Sequence, residues 1–138
     1  MTEDIPGGGV PRWLKGVGAV VAGLIAVIVL STATDAVLHA TRVFPPADQM
    51  MMDPMLFLLA LTYRGVFTLL GGWVTARLAP AAPMKHAVIL AIIGLLLGGL
   101  GVFAAVATDQ GPLWYAVAVA ITGPLLTLVG GRLHRRAA

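Results

Sequence analysis

Residues 84–108 read MKHAVILAIIGLLLGGLGVFAAVAT. From Ala87 to Thr108 no side chain ionises, and apolar residues do not alternate with polar ones as they would in a barrel strand. A helix needs about 20 apolar residues to cross the hydrocarbon core of a bilayer, and this run supplies them. In lipid an open sheet edge would leave backbone groups unsatisfied, whereas a helix satisfies its own. The stretch predicts a transmembrane helix.

Three further runs of this kind flank it. They cover Trp13–Val43, Pro54–Leu78 and Pro112–His134. Pro45 and Pro46 stop the first, and Pro54 suits the first turn of the second. Pro80 and Pro83 bracket a very short turn, and Asp109, Gln110, Gly111 and Pro112 form another. Connections this short make neighbouring helices antiparallel and adjacent. The expectation is an all-α integral membrane protein, a four-transmembrane-helix bundle with up-down-up-down topology over residues 12–138. Residues 1–11, rich in glycine and proline, read as a flexible N-terminal tail.

Composition agrees with this reading. Of the 138 residues, 59% are hydrophobic and 11% charged, against about 25% charged in ordinary soluble domains. A soluble fold of this size would need far more polar surface. The net charge of +3 reflects residues at helix ends, with no basic patch interleaved with aromatics, so no nucleic-acid partner is expected. The absence of cysteine excludes disulfides, thiolate metal sites and thiol catalysis.

Lys and Arg set the orientation. Arg12, Lys15, Arg77, Lys85, Arg132, Arg135 and Arg136 fall on one side, and Arg42 falls on the other with Asp48, Asp53 and Asp109. The basic side is expected to be cytoplasmic, with both termini inside (N-in/C-in) and the bacterial inner membrane as location. Trp13 and Trp73 near one boundary, and Trp114 and Tyr115 near the other, suit interfacial aromatic belts. Arg12 and Lys15, an apolar run and Ser31-Thr32-Ala33 also resemble a cleavable signal peptide, but the apolar pattern continues past Ala36, which favours an uncleaved first helix.

Helices associate in lipid through close approach of small residues. The third run carries a stripe through Ala87, Ala91, Gly94, Gly98, Gly101 and Ala105, and the fourth one through Ala116, Ala120, Gly123, Thr127 and Gly130. Gly71 and Gly72 serve the second, and Gly16, Ala19 and Gly23 the first. These are expected to pack the bundle internally, with a homo-oligomer or a larger membrane complex as a further use of the same faces. Pro124 is expected to kink the fourth helix near Ala120. Thr68-Leu69 and Gly71-Gly72 recur as Thr127-Leu128 and Gly130-Gly131, a short hint of a parallel repeat of two hairpins.

Ionisable groups inside a spanning segment cost about 2.5–3.5 kcal/mol on insertion scales, so they are the leading functional candidates. Asp35, His39 and Arg64 are such groups. Asp35 and His39 share a helix face, which Ser31 and Arg42 extend. Counting residues from each membrane edge places Asp35 about one turn below the outer surface and Arg64 about two turns below it. Arg64 reaches up to pair with Asp35, beside Tyr63 and Thr62. The cluster of Asp35, His39, Arg64, Ser31 and Tyr63 reads either as a charge-neutralising clamp or as an outward-facing pocket for a small ion or polar solute. His86 and His134 at the basic boundary are expected to be solvated or to touch lipid phosphates.

No nucleophile–base pair, phosphate loop or zinc-protease motif appears, and no metal or cofactor is expected. The size and four-helix plan resemble those of small multidrug exporters in general layout, but the first-helix glutamate those proteins require has no counterpart, since Glu3 is the only glutamate. The expected function is a non-catalytic accessory or scaffolding subunit that packs against itself or a larger membrane complex. The alternative is a small oligomeric transporter or channel-like protein built on Asp35, His39 and Arg64.

Overall fold

The computed structural model describes residues 9–109 and 111–137. Most of the proposed tail, Gln110 and Ala138 lie outside them. Four helices follow one another: α1 (Arg12–Ala40), α2 (Pro54–Leu78), α3 (Pro83–Thr108) and α4 (Leu113–Ala137). All four are long and apolar enough to cross a membrane. By composition the chain is a membrane protein.

The boundaries have local causes. α1 ends at Ala40, a turn before the expected Val43. Arg42 enters the left-handed region at φ 62°, and the Phe44 amide donates back to the Leu38 carbonyl at 3.0 Å, a closure that satisfies an orphaned helix-end carbonyl. Phe44 is thereby folded under the helix end and is buried. At the start of α2, Asp53 Oδ1 accepts from the Met55 amide at 2.9 Å, and Pro54 occupies the first turn, where its missing N–H costs nothing. Pro83 plays the same part in α3, so that helix begins one residue before the expected Met84. α4 starts at Leu113, after Pro112, and runs through Pro124 without a break to Ala137, beyond the expected end at His134.

Backbone contact between small residues holds the helices together. Gly23 of α1 sits against Thr75 and the Gly71 carbonyl of α2, and Thr75 Oγ1 donates to the Ala19 carbonyl at 3.1 Å. Asp35, toward the other end of α1, meets Tyr63 and Arg64. Gly72 of α2 lies on the Thr127 backbone of α4, and Gly130 lies on the backbone of Leu69 and Trp73. Gly131 faces Ala87 and Met84 of α3, and Gly98 faces Ala120. Gly16 of α1 abuts His86 of α3.

Sequential neighbours are therefore not uniformly the closest. α2 packs far more extensively on α4 than on α3, and α1 does not touch α4 among the described residues. The glycine pairs explain this, because adjacent residues point about 100° apart on a helix. Gly71 turns to α1 and Gly72 to α4, while Gly130 turns to α2 and Gly131 to α3. Phe57 meets Trp114 and Tyr115 near one end, and Trp73 meets His134 near the other, so α2 and α4 run side by side in one direction. The same rotation then places α1 and α3 on one side of the α2–α4 pair. A two-fold axis would put them on opposite sides, so the two hairpins are not related by one.

Candidate functional site

Two features stand out in the half of the molecule that holds Asp35 and Arg64. The first is the polar cluster between α1 and α2. Arg64 Nη2 donates to Asp35 Oδ2 at 2.5 Å, and the Tyr63 hydroxyl donates to Asp35 Oδ1. Both oxygens of the one carboxylate are engaged by neighbouring residues of α2. All three side chains are half-buried. The Arg64 Nε is buried without a hydrogen-bond partner, a state most buried polar groups avoid.

The remaining members of the sequence-derived cluster do not join it. His39 Nδ1 donates to the Pro45 carbonyl at 2.8 Å, and its ring lies edge-on to Phe44 with centroids 5.4 Å apart. His39 secures the turn after α1, because α1 closes earlier than the apolar run suggests and the chain folds back over that ring. Ser31 is buried one turn before Asp35 on α1. The Thr62 hydroxyl donates to the Leu58 carbonyl of its own helix, not to the charged pair. His86 packs on Gly16 and donates from Nδ1 to the Ala82 carbonyl, and His134 lies edge-on to Trp73. Both rings make these contacts while remaining partly exposed.

The second feature is a cleft of about 530 Å³ bounded by all four helices. Leu24, Val27 and Ile28 of α1 form one wall, and Leu90, Gly94, Leu97, Gly98, Gly101 and Ala105 of α3 form the other. Arg64 and Thr68 of α2, with Tyr115, Ala116, Val119 and Gly123 of α4, form the back. Here the structure corrects the expected role of the small-residue stripes. A Cβ on Gly94, Gly101 or Gly123 would meet nothing within 4 Å, whereas one on Gly98 would come within 2.8 Å of Ala120 Cα. Of the α3 stripe, Ala87, Ala91 and Gly98 pack, and Gly94 and Gly101 leave space. The space exists because α1 and α3 meet sparingly, at places such as Gly16–His86 and Gly23–Leu90, and among the described residues α1 has no contact with α4.

The rim of the cleft is open. Ile28 is 51% exposed and Leu97 50% exposed, so none of the described residues covers the gap between α1 and α3. At its closed end the Gly23–Thr75 and Gly72–Thr127 contacts seal the helices together. The lining is overwhelmingly apolar. The Thr68, Thr108 and Thr127 hydroxyls donate to carbonyls one turn earlier in their own helices. Among the described residues Arg64 is the only charged one of the lining, and Tyr115 lines it too. Sequence reasoning missed Tyr115 as a site residue because it reads as an interfacial aromatic. Its signal was its register on α4, which the glycine contacts alone determine.

Comparison with protein families, curated proteins and solved structures gives no match for this chain.

Proposed function

We propose that this chain is a non-catalytic accessory protein of the bacterial inner membrane. Its helices cross the bilayer up-down-up-down, with both termini in the cytoplasm. Its working surface is the cleft between α1 and α3, which receives an apolar partner from within the bilayer. The observation that carries this reading is the uncovered cleft itself. Its walls are apolar, its rim is half exposed, and glycines hold it open. An apolar concavity of this size falls in the range of about 300–1,000 Å³ that ligand sites occupy. The orientation rests on the Lys and Arg asymmetry.

In this reading Asp35, Tyr63 and Arg64 form a clamp between α1 and α2. Each carboxylate oxygen has a partner, which suits fixed architecture better than a carrier that must release an ion. The transporter alternative finds less support. His39 is engaged by the α1 turn, and the cleft ends at sealed helix contacts and does not continue as a pathway.

Extraction in mild detergent followed by identification of co-purifying molecules tests the proposal. A lipid-soluble molecule or a membrane protein is expected, and it should be lost when Gly94→Leu and Gly101→Leu fill the cleft. Flux of an ion or dye through reconstituted liposomes that vanishes in Asp35→Asn would overturn it in favour of a transporter.

A further inference from the structure

We propose that the cleft binds a neutral quinone-type lipid, with a ring carbonyl held by Arg64 and Tyr115 and the isoprenoid chain against α3. This deepens the reading above and rests on the cleft facing lipid.

The polar chemistry of the cleft selects the head group. Its threonine hydroxyls are spent on their own helices. Arg64 has five N–H donors and no acceptor. Of these, Nη2 is used on Asp35 and Nε is enclosed in protein, so a ligand in the cleft meets the remaining Nη1 group. The phenol of Tyr115 adds a further donor on the same wall. No carboxylate lines the cleft, so its polar floor calls for an acceptor.

Charge and depth narrow the choice. Asp35 already balances Arg64. A fatty-acid carboxylate would bring uncompensated negative charge into apolar surroundings, which is costly. A carbonyl accepts the same hydrogen bonds with no net charge. Arg64 lies about 15 Å along α2 from Pro54, at a rise of about 1.5 Å per residue. A phosphate group anchored in the headgroup layer does not reach that depth, whereas a quinone ring moves freely within the hydrocarbon. Gly94 and Gly101 of α3 leave a flat wall along which a methyl-branched chain can lie.

The test uses the purified chain in phosphatidylcholine nanodiscs, titrated with decylubiquinone. The readout is quenching of Trp114, which lies beside Tyr115 with ring centroids 6.1 Å apart. Trp13 and Trp73 are replaced by Phe so that Trp114 reports alone. Saturable quenching is expected above the linear quenching from quinone dissolved in the bilayer. Tyr115→Phe should weaken it by about 2- to 10-fold, the range for one lost hydrogen bond. Gly101→Leu should remove the saturable component while leaving thermal unfolding in place. Should Gly101→Leu not fold, Ala105→Leu fills the same wall one turn further on. The proposal is overturned if quenching never saturates, if Gly101→Leu and Ala105→Leu bind as the parent does, or if palmitate displaces the quinone and binds more tightly. Loss of quinone binding with a lipid-facing cleft would remove this inference and leave the accessory reading standing.

Discussion

Asp35 is the residue on which the first hairpin depends. Its two oxygens take a hydrogen bond each from Tyr63 and Arg64. Removing one member of such a pair strands the other, and for fully buried pairs the cost reaches about 3–5 kcal/mol. The Arg64 side chain is 37% exposed and Asp35 28%, which lowers that figure. Asp35→Ala should therefore destabilise the protein by about 1–3 kcal/mol, read as a lower unfolding temperature in detergent. The joint change Asp35→Leu with Arg64→Leu should cost less than Asp35→Ala alone, and a double-mutant cycle measures the difference. Equal costs would mean that an unpaired Arg64 carries no penalty, and additive single costs would mean that the pair contributes nothing to the hairpin. The opposition of Asp35 and Arg64 follows from counting turns inward from the membrane edge, so it is legible in the sequence. The engagement of His39 is not, because it depends on the chain reversing at Arg42, where a non-glycine residue adopts a positive φ.

At the scale of the helix, glycines of identical chemistry do opposite things. A side chain on Gly72 or Gly130 would press into the backbone of the facing helix, which cannot yield as a side chain can. Gly72→Val or Gly130→Val should destabilise by about 3 kcal/mol or more, since backbone must move, and should broaden the size-exclusion peak. Gly94→Ala and Gly101→Ala should be neutral or stabilise by up to about 1 kcal/mol, because alanine favours the helix and meets nothing there. If all four behaved alike, the assignment of packing and cleft faces would be wrong. Spans and breaks are legible in the sequence to within a few residues, because run length, proline and charge determine them. Which glycine packs is not legible. All of them fall at helical spacing, and only the relative placement of α1 and α3 decides whether a neighbour is present.

For the molecule as a whole, the decisive arrangement is α1 and α3 on one side of a tightly joined α2–α4 pair. Short connections make sequential helices adjacent, and they are, but Gly72 and Gly130 also draw α2 onto α4, a contact that connection length does not reveal. The proposed orientation across the bilayer is a separate matter and rests on Arg77, Lys85, Arg132, Arg135 and Arg136 lying on one side. A green fluorescent protein fused after Ala138 should fluoresce, and alkaline phosphatase at the same position should be inactive. The opposite pattern would invert the topology. The chain contains no cysteine, so a single nitroxide label can be placed anywhere without background. The cleft between α1 and α3 is proposed to open into lipid. Labels at Leu97→Cys and, separately, Ile28→Cys in liposomes measure this through relaxation by oxygen, which concentrates in the bilayer, and by a water-soluble nickel chelate. A cleft that opens into lipid gives strong relaxation by oxygen and weak relaxation by nickel at both rims. Dominant relaxation by nickel at either rim, or protection from both reagents, would contradict it.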